Sequence, residues 1–152
     1  MEIFRADKYS TDELFCRLSE LDKHCVGIDG WSAESFKSEA EKDNGVVLYA
    51  MENDMVTGLI CGYFAADEAE ITSVAVAHAY RRNGIAAGLM IKYLNALPEI
   101  TKSIFLEVRE SNSAAIGLYE KFGFEKISVR KNFYSFPDEN AIVMRKIIYE
   151  EG

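Results

Sequence analysis

Arg81 and Arg82 stand just ahead of Gly84 in the run Val74-Ala-Val-Ala-His-Ala-Tyr-Arg-Arg-Asn-Gly-Ile-Ala86, where strand formers pass through a basic turn into a helical apolar pattern. A strand–turn–helix of this kind builds an anion site. The first amides of a helix lack intrahelical acceptors, the macrodipole places partial positive charge there, and a glycine lets a phosphate approach the backbone. Two arginines add full charges, so a pyrophosphate is the natural ligand. Neither a G-x-x-x-x-G-K-[ST] loop nor a G-x-G-x-x-G fingerprint is present, which disfavours nucleotide hydrolases and dehydrogenases.

A second segment, Ile104 to Phe124, reads strand, loop and helix. Glu107 is the one carboxylate within the strand Ser103 to Val108. Tyr119 follows Asn112 by seven residues, about two helical turns, so both side chains are expected on one side of that helix. Each has a plainer reading too: Tyr119 shares an apolar face with Ala115, Leu118 and Phe122, as a core tyrosine does, and Glu107 suits a solvated strand position. Spacing sets no cysteine beside His24 or His78, and Cys16, Cys25 and Cys61 form no C-x-x-C pair. Covalent catalysis, a disulfide framework and a metal site are therefore not expected, and the cysteines are read as reduced and mostly structural.

The elements that must position these groups follow from pattern. Ser10-Thr-Asp-Glu caps a first helix carrying Leu14, Leu18 and Leu21, and Ser32, three residues before Ser35, opens a second. Val46 to Met51 and Met55 to Ala65 form a hairpin around Glu52-Asn-Asp. A third strand spans Glu70 to Ala77, where the apolar phase slips from Ile71 to Val74 and Val76 as a bulge would cause. A helix from about Asn83 to Leu97 carries Ile85, Leu89, Met90 and Leu94, and another runs from Asn112 to Phe122 with Gly123 ending it. Phe124 to Arg130 and Ala141 to Ile148 supply final strands, joined by a loop from Phe133 to Asn140. This order predicts an α/β fold with a mixed sheet flanked by helices.

The chain's 152 residues suit one domain, since domains commonly hold roughly 100 to 200. Its 49% hydrophobic and 28% charged content suits a globular protein. With 17 basic and 25 acidic residues the formal charge is -8, which disfavours nucleic-acid and anionic-membrane partners; it suits a cationic one, or solubility alone. The first residues lack a signal-peptide pattern, and no apolar run approaches the roughly 18 residues of a membrane span, so a cytoplasmic location is expected.

Together the two segments resemble the GNAT superfamily of acetyltransferases. The family's R/Q-x-x-G-x-G/A turn is matched by Arg81-Arg82-Asn83-Gly84-Ile85-Ala86, with His78 where many members have proline. Its N-x-x-A-x-x-L-Y-x-x-x-G-F block is matched by Asn112, Ala115, Leu118, Tyr119, Gly123 and Phe124. A narrower resemblance, to bacterial ribosomal-protein-alanine N-acetyltransferases, rests on Trp31-Ser-Ala-Glu-Ser-Phe, Leu106-Glu-Val-Arg-Glu-Ser-Asn and Arg130-Lys-Asn-Phe-Tyr. Here the chain departs at Gly30, often proline, and at Phe133, usually tyrosine.

The resemblance implies one GNAT domain over residues 1–152, with a central, mostly antiparallel twisted sheet of about seven strands flanked by about four helices. It implies acetyl-CoA as cosubstrate, no metal, and a basic protein N-terminus, of a ribosomal protein, as partner to a monomer or weak dimer. Acetyl-CoA would be held by Val74, Ala75, Val76, Arg81, Arg82, Asn83, Gly84, Ile85, Ala86, Ala87, Asn112 and Tyr119. Acetyl transfer needs a base for the attacking amine and an acid for the leaving thiolate. Glu107 is the candidate base and Tyr119 the candidate acid, with Trp31 and Tyr134 bordering the peptide. Two other readings stay open: a small-amine acetyltransferase, acting on a polyamine, amino sugar or drug, and a non-catalytic acyl-CoA-binding module.

Overall fold

The computed structural model describes residues 1–148, which form two compact units. The first holds Met1–Tyr63 and Thr72–Leu97; the second holds Phe64–Ile71 and the described residues from Pro98 onward.

In the first unit, β1 (Glu2–Arg5) leads to α1 (Asp12–Val26), a single 3-10 turn and α2 (Ala33–Glu41). The Thr11 hydroxyl accepts the Leu14 N–H at 3.1 Å, and Asp12 and Glu13 meet the positive end of the dipole. Ser32 caps α2 in the same way, through the Ser35 N–H at 3.1 Å. The apolar stripe of α1 is rotated from the expected Leu14, Leu18 and Leu21. Phe15, Leu18 and Leu21 are buried, Leu14 is half-buried, and the polar Ser19 and Asp22 are buried with them.

β2 (Gly45–Glu52) and β3 (Met55–Ala65) pair antiparallel through a two-residue turn. Asn53 and Asp54 both take positive φ there, +52° and +62°, which matches the right-handed strand twist. Phe15, Leu18, Phe36, Val47, Leu59 and Ala75 share one core, with Trp31 packed against it. Each fully buried Leu or Phe among them contributes about 1.5–3 kcal/mol.

β4 (Glu68–Val76) ends at a 3-10 turn, His78–Tyr80, and is followed by α3 (Ile85–Ala96). The phase slip expected in β4 is absent from its burial: Ala69, Ile71 and Ala75 are buried at odd positions, while Val74 and Val76 are half-buried. The odd position between Ile71 and Ala75 is Ser73, a polar residue that interrupts the apolar alternation on that face. α3 starts two residues later than expected because Gly84 is its left-handed cap, and Tyr93 takes the buried place expected for Leu94. Gly58 of β3 lets this helix come close, since a Cβ there would lie 2.8 Å from Ile85 Cγ2 and 3.1 Å from Leu89 Cδ1.

The second unit contains the start of β4, β5 (Ser103–Arg109), α4 (Ser113–Lys121), β6 (Glu125–Tyr134) and β7 (Glu139–Ile147). β4 runs parallel to β5 from Glu68↔Ser103 to Ile71↔Leu106, and β7 pairs antiparallel with both β5 and β6. Ile104, Leu106 and Val108 turn inward from β5, as Ile142 and Met144 do from β7, leaving Glu107 and Arg109 on the other face. β6 and β7 extend into the expected Phe133–Asn140 loop, shortening it to Ser135–Asp138. Over the described residues the sheet order is β1-β2-β3-β4-β5-β7-β6, mixed and mostly antiparallel, with four α-helices.

Candidate active site

The first unit carries the turn expected to bind an anion. Arg82 and Gly84 take positive φ, +68° and +76°, and α3 begins from Gly84 with no side chain capping it. Its first helical bond runs from the Gly88 N–H to the Gly84 carbonyl at 3.0 Å, so the amides of Ile85, Ala86 and Ala87 precede that ladder. A Cβ at Gly84 would meet no atom within 4 Å. The glycine therefore supplies left-handed backbone and open access, which fits a phosphate.

Arg82, Asn83 and Gly84 are exposed, Ala86 and Ala87 are half-buried, and Ile85 is a buried anchor. Arg81 makes contacts within the turn. Its Nε donates to the Val76 carbonyl at 3.2 Å, Nη1 lies 3.5 Å from His78 Nδ1, and Nη2 lies 3.9 Å from Cys25 Sγ. The guanidinium thus braces the turn against the end of β4, and Val76, one of the three strand residues expected to face the cofactor, has its carbonyl engaged.

Trp31 lies in the same unit, between the 3-10 turn and α2. Its ring is tilted on Phe36 at a centroid distance of 5.3 Å. Its N–H donates to Asp22 Oδ2 at 2.7 Å, and its carbonyl accepts the Ser19 hydroxyl at 2.7 Å.

The second unit brings Glu107, Tyr119 and Tyr134 together. Glu107 Oε1 accepts from Arg130 Nη1 at 2.5 Å. Tyr134 is half-buried; burial, then the negative charge of Glu107, pushes its phenol up to about 12, with Arg109 opposing and Glu139 adding. Tyr119 is the one buried residue of α4, packed edge-to-face on Phe124 at 5.9 Å. Burial, reinforced by the Tyr134 phenol, holds its pKa well above the usual tyrosine range. Asn112 differs from expectation: it is the non-helical cap of α4, and its Oδ1 accepts the Ala115 N–H at 3.2 Å. Helical spacing therefore does not set its direction relative to Tyr119, and its oxygen already has a partner.

Arg130, Arg109 and Glu139 join the expected residues. Arg109 stacks on the Tyr134 ring at 4.4 Å, donates to the carbonyls of Ser135 and Pro137, and pairs with Glu139 at 3.2 Å. Glu139 Oε2 accepts the Ser111 N–H at 2.6 Å, and its carboxyl is held below the usual range chiefly by the Ser111 bond. The available signal was alternation in β5, which sets Arg109 on the face of Glu107. Among the described residues no cluster of three or more His, Cys, Asp or Glu is arranged to hold a metal, and no helix is long and apolar enough to cross a membrane.

The sequence model of the acetyltransferase (GNAT) family matches residues 10–124. A Haemophilus influenzae protein named [ribosomal protein bS18]-alanine N-acetyltransferase is 34% identical over 134 residues, 86% of this chain and 90% of that protein. The crystal structure of the Escherichia coli ribosomal-protein-S18-alanine N-acetyltransferase has the same fold, with a TM-score of 0.80 at 24% identity over 99% of this chain and 97% of that one. Ard1 from Thermoplasma volcanium superposes with a TM-score of 0.81 at 25% identity, covering 98% of each chain. The chain belongs to the acetyltransferase (GNAT) family and is an acetyl-CoA-dependent N-acetyltransferase.

Proposed function

We propose that this enzyme acetylates the N-terminal α-amine of a ribosomal protein that begins with alanine, and that residues 1–152 serve as one catalytic domain. The substrate class is supported by the 34% identical Haemophilus influenzae relative and its printed name. A basic ribosomal N-terminus would also complement a chain of formal charge -8.

The observation that carries the chemistry is the grouping of one carboxylate, Glu107, with two protonated phenols, Tyr134 and Tyr119, in the second unit. Glu107 accepts the proton that the amine loses as its nitrogen bonds to the acetyl carbonyl carbon, directly or through water. As the carbon–sulfur bond breaks, Tyr119 faces the developing thiolate. Full proton transfer from a phenol with a raised pKa to a thiolate whose parent pKa is about 8.5 is uphill. Tyr119 therefore stabilises the leaving sulfur mainly as a hydrogen-bond donor. In the first unit, the amides that open α3 and the Arg82 charge receive the pyrophosphate, and the backbone of Val74 to Val76 pairs with pantetheine amides as a strand would.

The test is thiol release from acetyl-CoA with three acceptors: a basic peptide starting with alanine, the same peptide N-terminally blocked but containing lysine, and a polyamine. Turnover on the free alanine peptide alone is the expected result. Turnover on the polyamine alone would move the enzyme to the small-amine class.

A further inference from the structure

Asp22 is the buried carboxylate of α1, 1% exposed. Its two oxygens serve two different elements. Oδ2 accepts the Trp31 N–H at 2.7 Å, and Oδ1 accepts the hydroxyl of Ser73 on β4. One turn earlier on α1, Ser19 donates to the Trp31 carbonyl at 2.7 Å. One face of α1 thus holds both backbone polar groups of Trp31, and the same carboxylate is tied to the residue immediately before Val74.

An ordinary core position would hold a leucine here, because a carboxylate taken out of water is costly unless each oxygen is bonded. Burial raises the Asp22 pKa while the bonds from Ser73 and Trp31 pull it back. What the carboxylate provides and a leucine lacks is a directional link between two segments with different tasks.

We propose that Asp22 is a positioning residue that ties the placement of Trp31 to occupancy of β4, so that coenzyme A binding and peptide binding favour one another. This rests on the function proposed above, in which Val74 to Val76 meet pantetheine and Trp31 borders the peptide. Pantetheine paired along β4 holds Ser73 in place; Ser73 fixes the carboxylate, and the carboxylate fixes the Trp31 backbone. The coupling is reciprocal, as any linkage between two binding equilibria must be.

Trp31 is the single tryptophan of the chain, so its emission reports this site without any assay of turnover. Coenzyme A is titrated into the wild type, Ser73→Ala, Asp22→Asn and Asp22→Ala, with binding followed by calorimetry and Trp31 followed by fluorescence. The wild type is expected to respond. Ser73→Ala is expected to bind coenzyme A but to lose at least about half of the emission response, with peptide KM rising about fivefold or more and kcat within about twofold. Asp22→Asn keeps an acceptor for Trp31 and a donor for Ser73, and is expected to retain the response; Asp22→Ala is expected to lose it. If Asp22→Ala fails to fold, Ser73→Ala decides. A wild type that binds coenzyme A with silent Trp31 emission, or a Ser73→Ala enzyme with unchanged response and KM, would overturn the link. A wild type that binds coenzyme A but leaves the alanine peptide unacetylated removes the functional reading, and the emission measurements still judge the link.

Discussion

Arg130 Nη1 lies 2.5 Å from Glu107 Oε1, reaching from β6 across β7 to β5. The pair joins the carboxylate assigned as base to an arginine that is 56% exposed and stacked at 4.9 Å on Phe133. An exposed guanidinium is screened by water, so the pair adds about 0–1 kcal/mol to stability. Its weight falls on orientation of the carboxylate.

Glu107→Gln is therefore expected to lower kcat by about 100-fold or more, the usual size of a general-base contribution. Arg130→Ala is expected to lower it by less than about tenfold with little change in Tm, since the carboxylate remains but is less well held. Thiol-release kinetics and thermal unfolding of both variants check this. Unchanged turnover in a Glu107→Gln, Tyr119→Phe double variant would overturn both catalytic assignments.

The tyrosines make a pH prediction with a definite sign. Tyr119 and Tyr134 have pKa values raised above the usual 10, Tyr134 to about 12, and Cys61 is raised from 9 to about 12, chiefly by burial. As pH rises from 9 to 12 the unfolded chain releases these protons, the thiol around pH 9 and the phenols around pH 10, while the folded one keeps them. Stability from these groups is thus fully present below pH 9 and is lost as pH rises through that window. Urea midpoints are expected to fall over this range, and less steeply in Tyr134→Phe. Neither phenol is expected to add a falling limb to the rate profile below pH 9, because both remain protonated there.

The backbone form of the turn before α3 was legible because it depends on local chemistry: the Gly84 cap and the start of α3 follow from residue type and order. Most element positions followed from periodicity, and hairpin and helix caps from residues such as Asn53 and Ser32. The bond from Arg81 to the Val76 carbonyl was not legible, because that acceptor is set by the path of the turn rather than by spacing. The cap position of Asn112 was not legible from periodicity, which does not mark the residue at which a helix begins. The burial of Asp22 was not legible, since a charged residue in a helix is normally solvated and its partners, the Trp31 N–H and the Ser73 hydroxyl, are brought to it only by the tertiary fold. The role of Arg109 depends on the β6–β7 register, which shifts between Arg130 and Tyr134, where Asn132 takes φ +54°.

Gly84→Ala separates backbone strain from ligand access. No atom lies within 4 Å of the added methyl, so its penalty to the free protein is the positive φ alone, about 1–2 kcal/mol. The same methyl would stand where a phosphate approaches the α3 amides. Coenzyme A affinity by calorimetry is expected to fall about tenfold or more, beyond what the modest drop in denaturation midpoint accounts for. Unchanged affinity would show that the pyrophosphate is held elsewhere.

Arg109 secures the hairpin that carries Tyr134. One guanidinium meets the carbonyls of Ser135 and Pro137, the carboxylate of Glu139 and the face of the Tyr134 ring. Lysine cannot reproduce this set, because a single ammonium lacks both the planar fork and the face that stacks on the phenol. Arg109→Lys is therefore expected to behave closer to Arg109→Ala than to the wild type. If Tyr134 borders the peptide, both variants raise peptide KM by about tenfold while acetyl-CoA KM stays within about twofold, since loosening the hairpin removes pre-organised peptide contacts. Steady-state kinetics with each substrate varied in turn distinguishes this from general destabilisation, which would lower the active fraction and leave both KM values unchanged. A rise confined to acetyl-CoA KM would place Tyr134 beside the cofactor instead of the peptide.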